Sequence, residues 1–187
     1  MEAVGRPLSR AERRRTIGLG LLRGLAYTVL LTVVYFVAPL DAATRAPLWL
    51  VLTVGLVVVT AVAAYQVRAI VTSGHPAVRA VEAIAITGPL FLLLFAGTYV
   101  VLSGMDDSSF SSASLSRVDS LYFTVTVFST VGFGDITATS QTARILVTVQ
   151  MILDLIVIGA VVRVFVAAVG MARRSDAQLS EGSPKGP

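Results

Sequence analysis

Seven consecutive residues, Ser129-Thr130-Val131-Gly132-Phe133-Gly134-Asp135, place two glycines at alternate positions between a hydroxyl and a carboxylate. Glycine takes backbone angles closed to other residues, so alternating glycines let successive carbonyls point the same way. A row of aligned carbonyl oxygens replaces the hydration shell of a dehydrated cation, and Thr130 adds a hydroxyl oxygen to that row. A bare Gly-x-Gly is common in loops. A longer run carries weight only when its surroundings are those the chemistry needs.

Asp154 is the second residue of chemical interest, inside the apolar stretch Gln150–Val161. A carboxylate within a membrane span is expensive and normally faces a bundle interior or a water-filled cavity. Gln150 lies one turn earlier on the same face and Ile158 one turn later. The cost of burying charge favours a cavity-facing set of Asp154, Gln150 and Ile158. The alternative is a carboxylate turned to a neighbouring helix and bonded to Gln150 or a threonine. Gly159 loosens the helix locally and is a candidate hinge.

The elements around these residues are those of a membrane protein. The chain is 55% hydrophobic and 14% charged, with a mean hydropathy of +0.82; soluble domains carry about a quarter charged residues. With no cysteine and one histidine, His75, disulfides and Cys or His metal clusters are excluded. Four apolar runs, Thr16–Val37, Pro47–Val67, Val81–Leu102 and Ala143–Met171, each reach the roughly 20 residues a spanning helix needs. The first is too long for a signal-peptide h-region.

A pI near 10.0 invites a nucleic-acid reading, but the basic residues sit at span ends without interleaved aromatics. Arg6, Arg10, Arg13, Arg14 and Arg15 precede the first run, and Arg173 and Arg174 follow the last. Anionic lipid headgroups are the expected electrostatic partner, and nucleic acid is not. Lysine and arginine resist translocation, so both termini and the loop holding Arg68 and Arg79 are expected in the cytoplasm. The segment 129–135 then lies on the outer side.

Between the third and fourth runs, Ser103–Ser116 reads as an exposed outer loop. Asp119–Ser129 follows, a helix of about three turns that is too short to span. Asp119 is its candidate N-cap, and Thr126 and Ser129 lie in its later turns. Irregular backbone at membrane depth is tolerated only where it is buried in protein or lines water. The stretch is therefore expected to be re-entrant. The chain divides into a basic N-terminus at 1–15, two peripheral spans and a loop at 16–80, a two-helix module at 81–172, and a short disordered tail at 173–187.

The Thr-Val-Gly-Phe-Gly-Asp run, set between a short helix and a long apolar one, resembles the selectivity filter of tetrameric potassium channels. The resemblance covers about Val81 to Met171. It implies an all-α integral membrane fold of four transmembrane helices plus a re-entrant pore helix, assembled as a homotetramer in the plasma membrane. It further implies potassium ions held at Thr130, Val131, Gly132 and Phe133, with Gly134 completing the filter and Asp135 at its mouth. No other cofactor is expected. Val131 is expected to pack against the pore helix, Phe133 stands where tyrosine is commoner, and Thr126 stands where some relatives carry a glutamate that binds the filter aspartate. The stretch from Asp154 to Val161 resembles the inner helix of inward rectifiers, whose cavity aspartate attracts internal magnesium and polyamines.

The first two runs lack the arginine repeat of a voltage sensor, and no nucleophile–base pair of an enzyme is visible. A non-selective cation channel and a non-conducting assembly subunit are the competing functions.

Overall fold

The computed structural model describes residues 10–40, 47–71 and 76–181. Its helices are α1 (Arg10–Val37), α2 (Leu48–Val71), α3 (Pro76–Met105), α4 (Arg117–Phe128) and α5 (Gln141–Glu181). Four of them contain stretches long and apolar enough to cross a membrane: Gly18–Val37, Leu48–Ile70, Arg79–Met105 and Gln141–Arg163. The 12-residue α4 is too short to do so. The fold is all-α; strand-like pairing among the described residues is confined to a bridge between Phe110 and Ala138.

Two boundaries depart from expectation. Helix α1 spans Arg10–Val37, so Arg10, Arg13, Arg14 and Arg15 extend the first helix rather than standing apart from it. Helix α5 runs on to Glu181, so residues 173–181 are helical where a disordered tail was expected. The stretch Arg173–Glu181 contains neither proline nor glycine, and nothing in it stops the helix. Arg6, Asp41, Arg45, His75 and residues 182–187 lie outside the described residues.

Helix α3 is central, with α1, α2, α4 and α5 all packed against it. Its buried Phe91, Phe95 and Tyr99 present an aromatic face. Tyr99 meets Phe123 of α4 at 5.3 Å between ring centroids and Phe110 at 5.6 Å. Phe110 and Phe123 close the triangle at 5.6 Å, with all three pairs near perpendicular. Edge-to-face pairing adds to burial, and this cluster fixes α4 on α3.

Proline explains where α1 docks. Pro89 lies inside α3 and has no N–H for the carbonyl four residues earlier, that of Ala85. The hydroxyl of Thr28 on α1 lies 3.0 Å from Ala85 O and 3.0 Å from Gly24 O of its own helix, and shares its proton between them. The helices approach so closely there that a Cβ on Gly24 would lie 2.8 Å from that of Ala85. In a membrane, an orphaned carbonyl must be satisfied within the protein. Thr28 does this.

The loop after α3 is tied down rather than freely exposed, because its polar groups bond to structure on both sides. Ser103, Ser109, Phe110 and Leu115 are buried. Leu115 N–H donates to Ser103 Oγ at 2.7 Å. Ser111 N–H donates to Thr137 O, and Thr139 N–H to Ser109 O, both at 2.9 Å. Around the exposed Asp106, the Ser108 hydroxyl and N–H donate to one carboxylate oxygen at 2.6 and 2.9 Å. These bonds hold Asp106 below the usual carboxylate range.

Candidate ion pathway

Helix α4 starts with a capping box. Ser116 has extended backbone angles, its hydroxyl accepts from Asp119 N–H, and the Asp119 carboxylate accepts from Ser116 N–H. The N-cap is therefore Ser116, not Asp119, which sits at the third helical position. The spacing Ser-x-x-Asp satisfies two end donors reciprocally, which a lone Asp cap does not. Ser116→Ala is expected to lower stability by about 1 kcal/mol, measurable as a drop in unfolding temperature in detergent.

At the other end, the backbone turns sharply into the 129–135 segment. Thr130 N–H donates to Val127 O at 2.9 Å, while Val131 and Gly132 N–H both donate to Thr126 O, at 3.0 and 3.2 Å. In a planar trans peptide the carbonyl points opposite to the N–H that follows it. Two successive N–H groups converge on Thr126, so the carbonyls of Thr130 and Val131 both turn away from α4. Positive φ recurs at every second residue: 59° at Thr130, 52° at Gly132 and 81° at Gly134. Left-handed angles are rare for a β-branched residue, and residues held in them cluster where strain serves function.

Thr126 serves the segment through its carbonyl; its hydroxyl donates to Phe123 O at 2.8 Å within α4. Ser129 Oγ also donates to Thr126 O, at 3.3 Å. The contact to Asp135 comes from Tyr122. Its ring stacks on Phe133 with centroids 6.4 Å apart and planes 2° from parallel. The neighbouring Asp135 carboxylate raises the Tyr122 hydroxyl above the ordinary tyrosine value. In the single chain, Phe133 is 70% exposed and Val131 53% exposed, so Val131 is not covered by its own α4.

The structure turns Asp154 and Gln150 inward, which corrects the cavity expectation. Asp154 is 3% exposed and Gln150 fully buried within the chain. Tyr99 Oη donates to Gln150 Oε1 at 2.6 Å. Gln150 Nε2 lies 3.3 Å from both Thr124 O and Asp154 Oδ2. Asp154 thus belongs to a polar knot joining α3, α4 and α5, and its Oδ1 has no partner. The residues that α5 exposes at this level are Met151, Ile152, Leu155 and Ile156. Ile158 is half-buried, and Gly159 lies exposed within the unbroken helix.

The family model for an ion channel matches residues 88–170. No curated protein and no solved structure matches the chain. The matched stretch, a little under half the chain, is similar to ion channel domains. It takes in most of α3, all of α4, the 129–135 segment and the apolar part of α5, and it supports passive ion conduction as the class of activity. Helices α1 and α2 lie outside it.

Four residues of this ion channel region escaped the sequence: Ser116, Arg117, Tyr122 and Tyr99. The Ser-x-x-Asp spacing was a readable signal for the first. No local pattern marks the others, because their partners lie far along the chain.

Proposed function

We propose that this protein is a potassium-selective channel that conducts passively through a homotetrameric pore. The observation carrying this is the pair of carbonyls at Thr130 and Val131 turned together away from α4, with left-handed backbone at 130, 132 and 134. Such a row, continued through Gly132 and Phe133, replaces the hydration shell of potassium. One chain supplies one strand of the ring. Its irregular backbone is exposed in the single subunit, a state tolerated at membrane depth only when protein or a water-filled path covers it. Further copies of the chain around the pore axis meet that need.

Helix α4 is then the pore helix. Its C-terminal partial negative charge favours a cation at the cavity beyond it. Both termini lie in the cytoplasm of a plasma membrane, with the basic flanks on anionic lipid. A non-selective channel of this architecture usually carries an acidic residue in place of the Phe-Gly pair, and this chain keeps Phe133-Gly134. Internal magnesium and polyamines were implied as blockers only through a cavity-facing Asp154, and the burial of that carboxylate removes the support for them.

The test is the reversal potential of purified protein in a planar bilayer with potassium on one side and sodium on the other. A value close to the potassium equilibrium potential is expected; a clear current reversing near zero overturns potassium selectivity.

Tyr122 supplies the brace that the Thr126 position lacks. Tyr122→Phe keeps the stack on Phe133 and removes the hydroxyl from Asp135. Current is expected to decay several-fold faster when potassium is lowered, as the hydroxyl beside the Asp135 carboxylate is lost. Since the folded-state value lies above the ordinary 10.0, the contact persists below that pH and is lost as pH rises through the raised value.

A further inference from the structure

The peripheral helix α1 ends against the pore helix. Pro39 follows its last turn and offers no N–H to the carbonyl of Tyr35, four residues earlier. That carbonyl and the one at Ala38 are taken up by a single side chain: Arg117 Nη1 lies 2.5 Å from Tyr35 O and Nη2 2.7 Å from Ala38 O. Tyr35 returns the contact, its hydroxyl donating to Arg117 O at 2.8 Å. Arg117 is the first residue of α4, and Tyr35 is buried. A guanidinium on the carbonyls at a helix C-terminus also meets the negative end of the helix dipole.

We propose that Arg117 and Tyr35 form a clasp through which α1 sets the position of the pore helix, and so the conducting state of the filter. The proposal rests on the channel function argued above. Both carbonyls of α1 and α3 freed by Pro39 and Pro89 are satisfied across an interface involving α1: Tyr35 O by Arg117, and Ala85 O by Thr28. The helix is thereby held at two levels, on the break in α3 and on the first turn of α4. From that turn, 12 residues of continuous helix lead to Thr126 and Phe128 and on to the carbonyl row. A shift of α1 relative to α3 acts on α4 through Arg117. Arg117 is a positioning residue, touching no ion itself.

The experiment compares Arg117→Gln, Arg117→Lys and Tyr35→Phe with the parent in planar bilayers. It records the reversal potential and the rate at which current decays when potassium is replaced. Hydrogen bonds to a charged group are worth enough that Arg117→Gln is expected to speed decay by about tenfold or more. Lysine reaches one carbonyl and restores part of the loss; Tyr35→Phe shifts decay in the same direction by less. Tyr35→Phe removes a single hydroxyl and leaves the core shape intact, so it decides the matter if Arg117→Gln does not assemble. Ser116→Ala, which weakens the cap of α4 without touching α1, separates a clasp effect from simple loss of helix stability, and is expected to leave the decay rate within twofold of the parent. Parental decay in Tyr35→Phe, or equal acceleration in Ser116→Ala, overturns the clasp. A parent current that does not select potassium overturns the potassium-selective reading separately, since that is read from the unsubstituted protein.

Discussion

Gly132→Ala is expected to abolish potassium flux from proteoliposomes while the protein still folds and assembles. Gly132 has a φ of +52°, where an L side chain costs roughly 1–2 kcal/mol. A Cβ at that position meets no other atom of the chain within 4 Å, so the subunit itself accommodates the methyl group. The strain is relieved instead by rotation of the peptides on either side, and these carry the carbonyls of Val131 and Gly132. Conduction depends on where those oxygens point. The result is a small loss of stability, measured by unfolding in detergent, alongside loss of function. Wild-type flux in this variant would sink the assignment of 130–134 as the filter.

The second large effect is expected at Gln150. Its amide accepts from Tyr99 and donates toward Thr124 O and Asp154, and it is fully buried. Gln150→Leu leaves a buried hydroxyl and a buried carboxylate without their partner, each costing about 1–3 kcal/mol. Unfolding stability should fall by about 3 kcal/mol or more, on the same per-group cost. Asp154→Asn keeps a side-chain oxygen for Gln150 to donate to, and should change stability by less than about 1 kcal/mol. Because Asp154 is enclosed by its own subunit, block by internal magnesium or spermine should be unchanged in Asp154→Asn. Weakened block would show that the carboxylate reaches the ion path after all.

The two sites show different limits of sequence. The backbone of residues 129–135 was legible because its cause is local: the alternation of backbone angles is written into adjacent residues, and the glycines announce it. The four spans were legible for a related reason, since hydropathy over about 20 residues is set by composition alone. Asp154 is exceptional by residue type, but the cost of burying charge favours a cavity, whereas the structure has the alternative, a bond with Gln150 inside the bundle. Its chemistry is local, while the direction it faces depends on where α3 and α4 pass α5. Tyr99 lies 51 positions from Gln150, and no periodicity links them.

The tail departs for a third reason. Gly182, Pro184, Gly186 and Pro187 suggest disorder for the short tail, yet residues 173–181 hold no helix breaker and continue a helix already nucleated upstream. Propagation of an existing helix costs far less than starting one.

What the sequence by itself determined is the membrane class, the number of spans, the half-length helix and the carbonyl-bearing segment. Each follows from short-range composition or from the conformational freedom of glycine. Only the tertiary structure decided that Thr126 works through its carbonyl, that Tyr122 stacks on Phe133, that Asp154 is buried in a knot, and that α1 is bound to α4 by Arg117. Those facts depend on which helices approach one another. Proline left carbonyls at Tyr35 and Ala85 that had to be satisfied by something, and the chain's own packing chose Arg117 and Thr28.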